Sequence, residues 1–189
     1  KTGNLVVKNS NMALYQKKNF KRDISQYKLL KKYELSLNSI IKLRKYSKKK
    51  NIKFLTSVFD TESLEELFKS KIYDIKVPSG EINNFPLLEK ISKKAKRIFI
   101  SSGMSYMEEI ALALKILKRN NRSKKNLYLM HCHSEYPTDL KDVNLLVMPE
   151  LRKKFKIKIG FSDHTLGNEV GVAATALGAD VIEKHFTLS

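Results

Sequence analysis

Ile157-Lys158-Ile159-Gly160-Phe161-Ser162-Asp163-His164-Thr165 and Asp180-Val181-Ile182-Glu183-Lys184-His185-Phe186-Thr187 each read as a β-strand that runs into polar residues, with a Gly- and Ala-rich segment, Gly167 to Gly178, between them. That segment has the length of one crossover helix, so the whole stretch is a βαβ unit. Alternation along a strand places Lys158, Gly160, Ser162 and His164 on one face, and Val181, Glu183, His185 and Thr187 on one face of the next strand. Two imidazoles therefore arrive at the same end of neighbouring parallel strands. Polar groups gathered at the C-terminal ends of parallel strands are the usual material of an active site.

The same rhythm extends backwards. Strand-like runs at Phe54 to Val58, Ile72 to Val77, Arg97 to Gly103 and Leu127 to His133 alternate with helical segments. The first of these helices takes Asp60 or Thr61 as its N-cap and turns Leu64, Leu67 and Phe68 inward; the next runs from Pro86 to Ala95. A third opens with a capping box, Ser105 to Glu108, and a short one begins at Pro149. Ahead of the repeats, residues 24–52 are helical: Ile24 to Tyr33 carries Tyr27, Leu30 and Tyr33 at helical spacing, and Leu37 to Lys49 follows Ser36 with Ile40, Ile41 and Tyr46 on its buried side. Residues 1–23 have no sustained period and read as a loop. Six strands at βα spacing, with no hairpin signals, require a parallel α/β sheet.

An open doubly wound sheet concentrates its ligand at one switch point, and for dinucleotides it starts with a Gly-x-Gly-x-x-Gly turn. No such turn occurs in this chain. Instead nearly every strand ends in reactive side chains: Thr56-Ser57, Lys76 with Ser79, Ser101-Ser102, His131 with His133, Ser162 to His164, and Glu183 with His185. A ring of functional strand ends predicts a TIM (β/α)8 barrel. At 189 residues the chain is short for one, since a complete barrel takes about 250.

Composition narrows the function. The hydrophobic fraction of 42% suits a globular core, and the single cysteine, Cys132, excludes an intramolecular disulfide and fits a reducing, cytoplasmic setting. No apolar run approaches the roughly 18 residues of a membrane span. The formal charge of +18 raises nucleic acid as a partner. The Lys runs fall on predicted outer helix faces without interleaved aromatics, however, and read as solvated surface.

All four histidines lie at predicted strand ends. Imidazoles so placed point to a divalent metal, Mn²⁺, Fe²⁺, Co²⁺ or Zn²⁺; His164 and His185 form the better pair, and His131 with His133 could also chelate. Lys76, the hydroxyls of Ser57, Ser101 and Ser162, and the amides of the Pro78-Ser79-Gly80 turn could surround a phosphate.

Five motifs carry a resemblance. Lys76 to Leu87 (KVPSGEINNFPL), Ile100 to Met104 (ISSGM), His131 to Pro137 (HCHSEYP), Gly160 to Thr165 (GFSDHT) and Glu183 to Thr187 (EKHFT) together resemble the sialic acid synthase family, whose members make N-acetylneuraminate, legionaminate and pseudaminate. Asn9 to Asn19 and Ser25 to Ser36 are more similar to the first two branches. The resemblance implies a barrel enzyme, homodimeric when full length. It condenses phosphoenolpyruvate with an N-acetylated hexosamine, either N-acetylmannosamine or a 2,4-diacetamido-trideoxy hexose, and uses a divalent metal, typically Mn²⁺.

Carried over motif by motif, His164 and His185 hold the metal, and Ser57, Lys76, Ser79, Ser101 and Ser162 hold phosphoenolpyruvate. Ser134 stands where the family binds a carboxylate, Tyr136 and Glu81 are catalytic positions facing the sugar, and His133 departs from a small hydroxyl residue. The resemblance also implies that residues 1–189 supply strands three to eight. Two strands with a catalytic Glu and a Lys are then expected upstream, and an antifreeze-like domain downstream. The stretch expressed alone is expected to be poorly soluble and inactive. The rival readings are a metal-dependent barrel hydrolase, suggested by His131 and His133, and a basic nucleic-acid-binding fragment.

Overall fold

The computed structural model describes residues 2–11, 17, 24–119 and 126–187. Six strands, β1 (Thr56–Ser57), β2 (Asp74–Val77), β3 (Arg97–Ser101), β4 (Leu127–Cys132), β5 (Lys158–Asp163) and β6 (Val181–Lys184), pair in chain order, and every pair is parallel. The helices are α1 (Gln26–Tyr33), α2 (Leu37–Lys49), α3 (Thr61–Lys69), α4 (Phe85–Lys94), α5 (Met107–Leu117), α6 (Val147–Phe155) and α7 (Glu169–Ala176). From β1 onward each helix crosses over between two neighbouring strands.

Local chemistry sets the helix boundaries. Asp60 Oδ1 accepts from Ser63 N at 2.8 Å at the start of α3, and Asn84 accepts from Leu87 N at 3.2 Å at the start of α4. The capping box of α5 lies one residue later than expected: Glu109 accepts from Tyr106 N at 2.7 Å. The Ser105 amide is already spent on the Ser102 carbonyl, so the first free amide belongs to Tyr106. In α1 the buried residue is Leu29 and Tyr33 is exposed, and in α2 Tyr46 is exposed and only Leu37 and Ile40 reach the core. α2 is tied to the end of α3 through Arg44 Nη1, which donates to the Ser70 carbonyl at 2.9 Å.

One face of the sheet buries Ile75, Val77, Ile98, Ile100, Leu127, Leu129 and Ile159 against Leu64, Leu87, Leu88, Ile91, Leu114 and Leu117 of the helices. Burial of each such side chain is worth about 1.5–3 kcal/mol, and strands covered on both faces read as nearly continuous apolar runs. The other face carries Lys76, Phe99, Ser101, Tyr128, Met130, Cys132, Gly160, Ser162 and Glu183. Phe99 and Tyr128 stack there at 4.7 Å. Gly160 is required because an added Cβ would lie 2.5 Å from Met130 Sδ and 2.8 Å from the Val181 carbonyl.

This second face is concave. Lys76 on β2 forms an ion pair with Glu183 on β6, although β3, β4 and β5 lie between them. At about 4.8 Å per strand a flat sheet would separate β2 from β6 by roughly 19 Å, more than the two side chains can span together. The sheet is therefore curled, and its interior is narrow enough to be crossed by one ion pair.

Candidate active site

The strands stop one residue short of the key histidines, so His164 and His185 stand at the rim where β5 and β6 end. Their rings are 5.7 Å apart. With metal–nitrogen bonds of about 2.1 Å, two imidazoles on one ion have ring centres roughly 4.5–6 Å apart, so the spacing fits a shared metal. His164 Nδ1 lies 2.6 Å from the His133 carbonyl and donates to it. That bond fixes the tautomer and leaves the Nε2 lone pair directed into the site, 3.2 Å from Ser162 Oγ. Burial pushes the His164 imidazole below its ordinary pKa, partly offset by the His133 carbonyl, with His185 and Lys76 adding to the depression. A neutral imidazole is the form that coordinates metal. Tyr136 covers the pair, its ring 4.0 Å from His164 and 5.5 Å, edge on, from His185. The Tyr136–Pro137 bond is cis, and Thr138 N ties the loop to the His164 carbonyl at 2.9 Å. Among the described residues, no group of three His, Cys, Asp or Glu gathers for a metal. The imidazole pair with open positions around it is what these residues offer.

Beside the histidines Glu183 takes two hydrogen bonds on one oxygen, from Lys76 Nζ and from Ser162 Oγ, the latter at 2.7 Å. Burial raises the Glu183 carboxyl, but the bonds from Lys76 and Ser162 outweigh it and its pKa is lowered. One carboxylate thus orients two phosphoenolpyruvate candidates. Ser57 is the register partner of Lys76 across β1 and β2, and is exposed. The Ser101 hydroxyl is buried beside the Cys132 thiol without a nitrogen or oxygen partner among the described residues. Burial pushes the Cys132 thiol up, away from the reactive thiolate. Ser79 opens the one-turn helix Ser79–Glu81, and Ser134 approaches it: a Cβ placed on Gly103 would lie 2.3 Å from Ser79 Cβ and 3.1 Å from Ser134 Oγ. Glu81 is half-buried and accepts from Asn84 Nδ2 at 2.8 Å.

His131 leaves the group. It lies within β4 with its side chain on the helix-facing side, where Nε2 meets the Val143 carbonyl at 2.9 Å and the ring packs on Phe161 at 5.7 Å. Its Nε2 is taken by the Val143 carbonyl on that side, so His131 is not presented to the concave face beside His164 and His185. His133 contributes its carbonyl to His164, and its own Nδ1 is buried without a partner among the described residues. Glu183, a strand end without an assigned role in the sequence, and Gly103 join the site. The alternation that put Glu183 on the face of His185 was the signal for the first; nothing local marked the second.

Comparison with known proteins bears on the family and the fold. The chain is 44% identical over 188 residues to the N,N'-diacetyllegionaminic acid synthase of Campylobacter jejuni, covering all of this chain and 56% of that protein. It is 40% identical over 156 residues to the human N-acetylneuraminate-9-phosphate synthase, covering 82% of this chain and 43% of that one. The crystal structure of the N-acetylneuraminic acid synthetase of Leptospira borgpetersenii, in complex with citrate, superposes with a TM-score of 0.82 at 32% identity, covering 93% of this chain and 60% of that one. The chain thus spans about half the length of the curated relatives it matches. With the match running from residue 1 to residue 189, the chain that carries this histidine pair and hydroxyl-lined hollow belongs to the NeuB family.

Proposed function

We propose that the protein containing this chain condenses phosphoenolpyruvate with an N-acetylated hexosamine to give a nonulosonic acid and phosphate. The observation that carries the reading is the adjacency of two arrays: Lys76 and Ser162 held by Glu183, and His164 and His185 under Tyr136. The first array suits a phosphate, the second a metal and a sugar. Named relatives that make legionaminic acid and N-acetylneuraminate 9-phosphate support the substrate class.

The scaffold reading is a (β/α)8 barrel of which this chain supplies strands three to eight. Followed along the ladder, Lys76 is level with Phe99, Tyr128 and Lys158, and hence with Ala179, two residues before Val181. Its ammonium instead meets Glu183, four residues further along β6. A climb of about one residue per strand is the stagger of an eight-stranded barrel with a shear of 8.

His164 and His185 would hold the divalent ion, Mn²⁺ first, which when bound supplies Lewis-acid polarisation of the sugar aldehyde. Lys76 exchanges Glu183 for the incoming phosphate, and Ser57, Ser79, Ser101 and Ser162 fix the phosphoenolpyruvate with its C3 toward that aldehyde, chiefly an orientation effect. Ser134 receives the carboxylate. C3 bonds to the aldehyde carbon, water adds to the cation left at C2, and phosphate departs. Tyr136 and Glu81 face the sugar. The cytoplasm is the setting, a homodimer the assembly, and the surplus cations are a solvated face with no nucleic-acid role.

The test is release of phosphate from phosphoenolpyruvate. Release that requires both an N-acetylated hexosamine and a divalent metal supports the condensation. Sugar-independent hydrolysis would favour the hydrolase reading, and duplex DNA binding that survives physiological salt would favour the nucleic-acid one.

A further inference from the structure

Each histidine of the pair is preceded by a charged residue that turns to the opposite side of the sheet. Asp163 precedes His164 and Lys184 precedes His185, and the two are register partners at the point where the β5/β6 ladder ends. Lys184 Nζ donates to Asp163 Oδ2 at 2.7 Å and to the Thr165 carbonyl at 3.0 Å. Asp163 Oδ1 accepts from Thr165 N at 2.9 Å and from Thr165 Oγ1 at 2.7 Å. The Asp163 side chain is fully buried and that of Lys184 is 27% exposed. Helix α7 presses on this cluster through Gly171, where an added Cβ would lie 3.6 Å from Asp163 Oδ2.

We propose that Asp163, Lys184 and Thr165 form a clamp that sets the separation and orientation of His164 and His185, and so are positioning residues for metal binding; this rests on the metal reading above. Past Asp163 and Lys184 no ladder bond joins the two strands. Residues on both sides of His164, at 163 and 165, are tied to Lys184, the residue before His185. Without this cluster His185, one residue past the last register pair, loses its side-chain tie to β5. The clamp residues touch neither metal nor substrate; they act through the histidines, as partners outside the ligand sphere do elsewhere, where their loss weakens metal affinity about 10–100-fold.

An ion pair at the other end of the same helix and strand provides the control. Asp180 accepts from Ile159 N at 2.9 Å and from Arg152 Nη1 at 2.9 Å, far from the rim. Co²⁺ affinity and the visible spectrum of the bound ion are measured on the full-length protein, its Asp163→Asn, Asp163→Asn/Lys184→Met and Thr165→Val variants, and the Asp180→Asn control, with a melting curve for each. The clamp predicts a 10–100-fold loss of Co²⁺ affinity in Asp163→Asn, little further loss in the double variant, and a smaller loss in Thr165→Val, which removes one hydrogen bond and keeps the charges. Asp180→Asn should melt lower and bind Co²⁺ as the parent does. If Asp163→Asn does not fold, Thr165→Val alone decides. Parent-like affinity and spectrum in folded clamp variants would overturn the clamp and leave the metal reading standing. A parent that binds no Co²⁺ would overturn the metal reading, and the clamp's positioning role with it.

Discussion

Gly103 has φ of +48°, and an added Cβ would stand 2.3 Å from Ser79 Cβ and 2.5 Å from its hydroxyl. Gly103→Ala is therefore strained twice, in its backbone and by filling the space between Ser79 and Ser134. Steady-state kinetics should show KM for phosphoenolpyruvate raised tenfold or more, with the circular dichroism of the parent. An unchanged KM would remove Ser79 and Ser134 from the substrate site. At the same scale His164, His185 and His131 separate cleanly. His164→Ala and His185→Ala should abolish tight divalent-metal binding in a titration. His131→Ala should leave it, and lower the melting temperature instead, because His131 tethers the loop at Val143.

At the scale of elements, the caps and strand ends set the site's position. Asp60 holds the first turn of α3 through Ser63 N and Ser63 Oγ, the latter at 2.7 Å. Asp60→Ala should cost about 1 kcal/mol in denaturant unfolding, the usual value of an N-cap, with no effect on metal affinity. The β5/β6 clamp carries a pH signature. Burial raises the Asp163 carboxyl, but its bonds from Lys184 and Thr165 prevail and its pKa is lowered in the fold. A group depressed on folding contributes stability that is fully present above its unfolded pKa of about 3.9 and is lost as pH falls through the lower folded value. Melting temperatures of the metal-free protein from pH 7 to 3 should therefore fall on acidification, and less steeply in Asp163→Asn. Parallel curves would show that Asp163 gains nothing from its partners.

For the molecule as a whole, β3, β4 and β5 are paired on both sides and almost wholly buried, whereas β1 and β6 lie at the two edges of the sheet. β1 is two residues long, and in β6 Ile182 is 37% exposed. Opening free energy follows burial and pairing. In residues 1–189 by themselves, hydrogen exchange should then protect amides of β3 to β5 most and those of β1 and β6 least. The two candidate arrays draw on both regions, Ser57, Glu183 and His185 coming from the weakly held edges. Added phosphoenolpyruvate and metal should slow exchange at β1 and β6 more than at β4, and uniform slowing would argue against a site that bridges the edges.

The sequence by itself determined the alternation of strand and helix, because hydrophobic period and cap chemistry are local properties. Ser36 and Asp60, read from the sequence as caps, both cap the helices that follow them. It also determined which faces Ser162 with His164 and Glu183 with His185 share, since strand alternation has a period of two. Expectations on residues 12–16 and 18–23 lie outside the described residues. Only the tertiary structure decided which strand ends meet. Lys76 and Glu183 are 107 residues apart in the chain, and no local period encodes the curl and stagger that join them. The same holds for His131, a mouth histidine by its place at a strand end and a loop tether once the Val143 carbonyl is in position. Curvature arises from how the whole sheet twists and packs against its helices, and contacts made across its hollow are legible only after that shape exists.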